Sequence, residues 1–194
     1  MESSRIIAIT GGIGAGKSVV ASILRHAGFG IFDCDMRAKL LMNTSPAIRQ
    51  ALVGRFGPEV YSENGDLDRA VLSSIIFNDK DALAFVNSVV HPAVRDDIVQ
   101  WSVQQDKAPA FVETAILQES GLDAMVDEVW IVTAPVEVRI ERVIKRNATT
   151  RERVLERIHS QRDQFTGINK NIVEIVNDGI VPLLPQVMRA VNLT

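Results

Sequence analysis

The sequence predicts an α/β protein built on a parallel sheet with helices packed on both faces. Short, continuously apolar runs alternate with segments of helical period, and a glycine-rich turn directly follows the first run. Strands that are buried on both faces of a parallel sheet have unbroken apolar runs of this kind. Of the 194 residues, 46% are hydrophobic and 23% are charged, which supplies enough apolar surface for a folded core.

Composition excludes several classes of protein. No apolar run approaches the roughly 20 residues that cross a bilayer, and the first residues have no apolar stretch long enough for a signal peptide. The single cysteine, Cys34, cannot form an intrachain disulfide or a multi-cysteine zinc site, which fits a cytoplasmic protein. The net charge of −3 argues against bulk binding to nucleic acid. We therefore expect neither a membrane nor a nucleic acid as partner.

The first 33 residues predict one β-α-β unit. Residues 5–10 form the first apolar run, and residues 17–27 carry apolar side chains at helical spacing. Gly28 lies where a glycine caps the end of a helix, and residues 29–32 form a second short apolar run. The glycine-rich turn therefore lies between a strand and a helix.

A long helical segment then interrupts the alternation of strands and helices. Residues 36–107 contain no convincing strand, and a crossover between parallel strands needs far fewer residues. Within this segment His91-Pro92 predicts a kink or a helix boundary, because the residue before proline is disfavoured in a helical conformation. Regular signals return afterwards, with strands predicted at 110–112, 129–132 and 172–176 and a closing helix at 181–192.

The glycine-rich turn matches the phosphate-binding pattern G-x-x-x-x-G-K-[ST] as Gly11-Gly12-Ile13-Gly14-Ala15-Gly16-Lys17-Ser18. Such a loop wraps a phosphate with backbone N–H groups, and the helix that follows adds partial positive charge. Lys17 is expected to reach the β- and γ-phosphates, and the Ser18 hydroxyl is expected to ligate Mg²⁺. A GTP-binding switch is disfavoured, because Asn169-Lys170 is not followed by the required aspartate. A kinase of small substrates remains.

Asp33 and Asp35 follow the second predicted strand, at the sheet edge where ligands bind in open parallel sheets. A carboxylate there can accept a proton from the acceptor hydroxyl during phosphoryl transfer, and Asp33 is the better candidate. In the alternative interpretation Asp35 only caps a helix at 36–42. Cys34 is expected to be extended and to serve packing.

Weaker candidates occur later in the chain. His91 is either structural or a substrate contact. Glu113 and Glu119 are either solvent-exposed or placed to hold a Mg²⁺-bound water or a group of the substrate.

A basic segment suggests a lid. Seven basic residues stand against two acidic ones between Arg142 and Arg162. Arg142 and Arg146 are one helical turn apart, a spacing that can clamp one polyphosphate, and Thr150 can cap the next helix. The alternative is a solvated basic face.

The chain resembles the dephospho-CoA kinase family over essentially its whole length. The matching motifs are Ile9 to Ser18, Asp33-Cys34-Asp35, His91-Pro92, Glu119-Ser120-Gly121, Arg142 with Arg146, Gln161, and Asn177 before Gly179. The resemblance implies ATP- and Mg²⁺-dependent phosphorylation of the 3′-hydroxyl of dephospho-CoA, the last step of coenzyme A synthesis, with Asp33 as the base.

The resemblance also implies which residues contact each ligand. Expected ATP contacts are Gly12, Ile13, Gly14, Ala15, Gly16, Lys17, Ser18, Val19, Arg142 and Asn177, and expected dephospho-CoA contacts are Asp33, Asp35, His91, Glu119 and Gln161. The expected catalytic residues are Asp33, Lys17, Arg142 and Arg146.

We thus predict a three-layer P-loop kinase fold with three parts. Residues 1–35, 108–141 and 170–194 would form the nucleotide-binding core, 36–107 a helical substrate domain, and 142–169 a lid. Two alternatives stay open from the residues alone: a nucleoside or nucleoside-monophosphate kinase, and a module that binds ATP without an acceptor.

Overall fold

The structure, a computed structural model, describes residues 5–105, 109–161 and 164–193 and contains a five-stranded parallel sheet. The strands are β1 (Ile6–Thr10), β2 (Ile31–Asp33), β3 (Ala110–Glu113), β4 (Glu128–Thr133) and β5 (Asn171–Val176). Their order is β2-β3-β1-β4-β5, and every neighbouring pair is parallel. Helices lie on both sides of the sheet, so the predicted α/β class is confirmed.

Eight α-helices accompany the sheet in the described part of the chain. They are α1 (Lys17–His26), α2 (Cys34–Thr44), α3 (Pro46–Phe56), α4 (Arg69–Phe77), α5 (Lys80–Ser102), α6 (Val136–Asn147), α7 (Arg151–Ser160) and α8 (Leu183–Leu193). Side-chain caps fix several starts, because an oxygen accepts from an otherwise unpaired N–H of the first turn. Ser45, Asp68 and Thr150 do so for α3, α4 and α7.

The chain divides into two compact units. One consists of the residues up to Asp33 and those from Trp101 onward, and it contains the whole sheet. The other is the helical unit Cys34–Gln100, which overlaps the predicted insertion 36–107 but begins and ends earlier. A role for the helical unit in binding substrate stays a prediction.

The core of the sheet-bearing unit lies between β1, β3, β4 and the helices α1 and α8. Phe111 and Trp130 are fully buried there and pack edge to face, with ring centroids 5.0 Å apart. Phe29 also packs edge to face with Phe111, with ring centroids 5.5 Å apart. Aromatic pairs in this geometry add to the stabilisation from buried area, so the central strands are the best-anchored part of the unit.

One buried carboxylate joins β4 to β5 and to the residue before β1 at the amino edge of the sheet. Glu128 is 1% exposed, and its oxygens accept hydrogen bonds from Arg5 at 3.0 Å, Trp130 Nε1 at 2.7 Å and Asn171 Nδ2 at 2.6 Å. Buried charges are tolerated only with such partners. Glu128 therefore has a structural role away from the glycine-rich loop.

Of the two outcomes predicted at His91-Pro92, a kink or a helix boundary, the boundary is wrong, because α5 continues through Pro92. Proline removes its own N–H bond, but the stripe of buried side chains continues on both sides of it, as Val90 and Val94 show. Burial of that stripe outweighs the local cost of the proline.

The start of the next helix also differs from the prediction. Cys34 is not extended but begins α2, so Asp35 lies in its first turn and does not cap a helix that starts at residue 36. The second strand is β2 at Ile31–Asp33 rather than 29–32. Strand and helix join without a linker, and short apolar runs leave such boundaries undetermined.

Among the described residues, no helix is long and apolar enough to span a membrane.

Candidate active site

The glycine-rich loop lies between β1 and α1, at the carboxyl edge of the sheet. Gly16 precedes α1 with φ 99°, a left-handed conformation that favours glycine. A Cβ on Gly16 would also overlap the side-chain nitrogen of Asn177. The loop thus requires glycine here, both for its turn and for the close approach of a neighbouring side chain.

Lys17 and Ser18 occupy the first turn of α1, as the motif predicts. Lys17 Nζ donates to the carbonyl oxygen of Gly11 at 2.8 Å, across the mouth of the loop. Ser18 is exposed, as is Val19, whose residue surface is 50% accessible. The ammonium, the hydroxyl and the positive end of the helix therefore lie together on one small surface, which suits a polyphosphate.

Ile13, in the middle of the loop, is held through both groups of its backbone. Arg139 Nε donates to the Ile13 carbonyl oxygen, and Gln161 Oε1 accepts from the Ile13 N–H, each at 2.8 Å. Gln161 was expected to contact substrate, and here it contacts the loop. Sequence reasoning missed Arg139, although its spacing of three residues from Arg142 places both near one face of α6.

Arg139 is half-buried, and burial lowers the pKa of its guanidinium. No carboxylate of the described residues lies within salt-bridge distance of it. With Gly12, Gln161 and residues of α7 it lines a cavity of about 380 Å³ beside the loop. A desolvated cation without an acidic partner favours an anion nearby.

Asn177 and Arg142 connect α6, the end of β5 and the loop. Asn177 Nδ2 donates to the carbonyl oxygen of Ala15 at 2.8 Å. Arg142 donates to the backbone carbonyl of Asn177 at 2.9 Å and to its side-chain oxygen at 3.4 Å. The next residue, Asp178, caps the following turn, and hydrogen bonds from the N–H groups of Val181 and Ile180 lower the pKa of its carboxyl.

The two arginines of the predicted clamp differ in burial and in their hydrogen-bond partners. Arg142 is half-buried and bound to Asn177, whereas Arg146 is exposed and its Nε donates to Asn147 at 3.0 Å. Thr150 caps α7 as predicted. Arg162, the last residue of the basic segment, lies outside the described residues.

Two predicted acidic residues end neighbouring strands. Asp33 ends β2 and is paired in register with Glu113, which ends β3 and is paired with Ile9 of β1. Strands in a sheet are about 4.8 Å apart, so Asp33 ends about 10 Å from β1, on the edge where the loop begins. Glu119 lies further on, exposed in the turn after β3.

Asp35 and His91 belong to the helical unit. Asp35 is exposed in the first turn of α2, and His91 is half-buried in α5. Their expected contact with dephospho-CoA stays a prediction.

The described residues contain no group of three His, Cys, Asp or Glu side chains that could hold a metal ion. Mg²⁺ in phosphoryl-transfer sites takes most of its ligands from phosphates and water, with one or two from protein. The exposed Ser18 hydroxyl beside Lys17 fits that sparse ligand set.

Comparison with known proteins gives consistent sequence matches. The sequence model of the family described as dephospho-CoA kinase matches residues 5–182. A dephospho-CoA kinase from Porphyromonas gingivalis is 40% identical over 187 residues, which are 96% of this chain and 92% of that protein.

Solved structures resemble the whole chain. A crystal structure of a Thermus thermophilus protein has a TM-score of 0.82 and 30% identity, with 99% of this chain and 98% of that chain covered. A dephospho-CoA kinase from Campylobacter jejuni has a TM-score of 0.69 at 22% identity, with 96% and 95% covered. The second likeness supports the fold alone.

Proposed function

The chain belongs to the dephospho-CoA kinase family, and on that premise we propose which of its residues carry the reaction. Members of the family transfer a phosphoryl group from ATP to dephospho-CoA and so complete coenzyme A. The predicted P-loop kinase fold and the predicted enzyme class are both confirmed. The observation that carries the residue roles is the shared sheet edge of the glycine-rich loop, Asp33 and Glu113.

The loop from Gly12 to Val19 binds the phosphates of ATP. Its backbone N–H groups and the start of α1 face the β-phosphate, and Lys17 neutralises charge on the β- and γ-phosphates as it develops. Mg²⁺ at Ser18 would supply further charge neutralisation on the phosphate oxygens. Asn177, held against Ala15, borders the nucleotide on the other side of the loop.

Asp33 is the general base. It accepts the proton of the 3′-hydroxyl of dephospho-CoA while that oxygen attacks the γ-phosphorus, and ADP leaves. A base must lie beside the acceptor rather than beside the donor. Asp33 ends β2, which lies two strands from β1, so it is on the same sheet edge as the phosphate-binding loop but separated from it.

Residues 142–169 act as the lid, and the helical segment 36–107 binds dephospho-CoA. Arg142 and Arg146 contact the triphosphate when the lid closes, which excludes water and suppresses hydrolysis of ATP. Asp35, His91 and Glu119 are the proposed substrate contacts outside the loop. We also propose that the enzyme works in the cytoplasm.

An acceptor screen tests the proposed function. Purified protein is mixed with ATP, Mg²⁺ and each of dephospho-CoA, AMP, CMP, adenosine or shikimate, and ADP formation and product mass are measured. We expect one added phosphate on dephospho-CoA alone, with chelation of Mg²⁺ stopping the reaction.

The same screen separates the alternatives. Phosphorylation of AMP or CMP instead would support a nucleoside-monophosphate kinase and remove the substrate role of the helical unit. ATP binding without any phosphorylated acceptor would support a binding module. A parallel assay of Lys17→Ala, which should be inactive, excludes a contaminating kinase.

A further inference from the structure

We propose that Arg139 and Gln161 are positioning residues that brace the phosphate-binding loop at Ile13. One holds the carbonyl oxygen of Ile13 and the other its N–H, both at 2.8 Å, so the residue is fixed on both sides. This inference rests on the proposed role of the loop in binding ATP. The two hydrogen bonds explain how the loop acquires its shape, and they show that α6 and the residue after α7 impose it.

The loop needs such a brace because glycine dominates it. A chain with glycines on both sides of Ile13, at Gly12 and Gly14, has many backbone conformations available. Phosphoryl transfer depends on positioning, and a displacement of about 1 Å can cost about 100-fold in rate. A residue held at the centre of the loop therefore limits the conformations of the N–H groups that follow it.

The packing around Arg139 supports the same role. A Cβ on Gly12 would overlap the Arg139 guanidinium, and a Cβ on Gly14 would lie 2.6 Å from the Arg139 carbonyl oxygen. The loop thus lies directly on the backbone and side chain of one residue of α6. Gln161, just after α7, reaches the same loop residue from a second element.

Arg139 is better suited to this task than to an ion pair. It is half-buried, and no carboxylate of the described residues lies within salt-bridge distance. Its hydrogen bond instead goes to the Ile13 carbonyl. Arg139 and Gln161 both act through Ile13, which makes them positioning rather than catalytic residues.

The test combines kinetics with amide hydrogen exchange at Ile13. Gln161→Leu keeps the size of the side chain but removes the acceptor, and Gln161→Glu restores an acceptor oxygen. Arg139→Leu removes the donor, and Arg139→Gln retains a neutral N–H donor. Glu141→Ala, an exposed change on the same helix, is the matched control.

We expect Gln161→Leu and Arg139→Leu to lower kcat about 10- to 100-fold while the KM for dephospho-CoA changes less than about threefold. Exchange of the Ile13 amide in Gln161→Leu should accelerate at least about tenfold, since its acceptor is gone. Gln161→Glu and Arg139→Gln should recover most of kcat, and Glu141→Ala should match the unaltered enzyme.

Three results would overturn the proposal. A fall in kcat for Gln161→Leu without faster exchange at Ile13 would mean that Gln161 acts on substrate directly. Faster exchange with unchanged kcat would leave the brace without a catalytic effect. Arg139→Gln as inactive as Arg139→Leu would mean that the charge, and not the hydrogen bond, is what matters.

Failure of the proposed function would be recognised by a different result. If Lys17→Ala keeps its affinity for ATP and its turnover, the loop is not the ATP site, whatever happens at Ile13. If one leucine variant fails to fold, the other still tests the brace, because each removes one of the two hydrogen bonds to Ile13.

Discussion

At the scale of single residues, Asp33 has the most specific proposed role. It ends β2 in register with Glu113, on the sheet edge where the glycine-rich loop begins. Asp33→Asn keeps the shape of the side chain but removes the base. We expect kcat to fall at least 100-fold, the scale of general-base loss, while the ATP dissociation constant changes little. Steady-state kinetics and ATP titration measure both, and an unchanged kcat would remove Asp33 from this role.

Individual residues differ in how far the sequence could specify them. Lys17, Ser18 and Asp33 could be assigned because a loop motif or a strand end fixes their place locally. Arg139 could not, because its contact with Ile13 depends on how α6 packs against the loop, 126 positions earlier in the chain. Gln161 was singled out for substrate, and only the tertiary structure reveals its bond to Ile13.

At the scale of elements, Arg146 on α6 allows an effect on catalysis to be separated from an effect on stability. Arg146 is exposed and donates to Asn147, so its removal should change the free energy of unfolding by no more than about 0.5 kcal/mol. As a lid residue that contacts the triphosphate, it should still matter for turnover. Arg146→Ala is expected to lower kcat at least about tenfold with an unchanged melting temperature. A collapsed melting temperature would instead indicate a structural role.

The strands of the sheet supply a prediction about stability alone. Glu128→Ala leaves the buried Trp130 N–H and the Asn171 amide without their acceptor. Asn171 is exposed and can turn to water, but the unpaired Trp130 N–H stays buried, which costs about 1–3 kcal/mol that urea denaturation can measure. The folded fraction should keep its kcat, because Glu128 lies at the amino edge, away from the loop.

A second carboxylate on the sheet is the control for Glu128. Glu174 on β5 is exposed and accepts from the hydroxyl of Thr133 at 2.9 Å. Glu174→Ala should therefore change stability by at most about 0.5 kcal/mol. Equal losses for the two variants would contradict the structural role assigned to Glu128.

At the scale of the whole molecule, the parallel sheet followed from the sequence because buried parallel strands have unbroken apolar runs. The unbroken course of α5 through Pro92 did not, because it depends on the burial of a stripe of side chains that includes Val90 and Val94. Local rules on proline weigh one hydrogen bond and one steric contact. They do not include the burial of side chains in the folded protein, so element boundaries were less predictable than element types.

The stabilisation of the whole protein by bound ATP tests whether the glycine-rich loop is the ATP site. A ligand that binds only the native state, present at 100 times its dissociation constant, stabilises it by about 2.7 kcal/mol. For a chain of this size that corresponds to a rise of roughly 5–10 °C in melting temperature. We expect ATP with Mg²⁺ to produce this rise in the unaltered protein and in Asp33→Asn, because Asp33 acts on the acceptor. Lys17→Ala, which loses a charge on the β- and γ-phosphates, should show little rise at the same concentration. Thermal denaturation of the three proteins measures this, and an equal rise in Lys17→Ala would place ATP away from the loop.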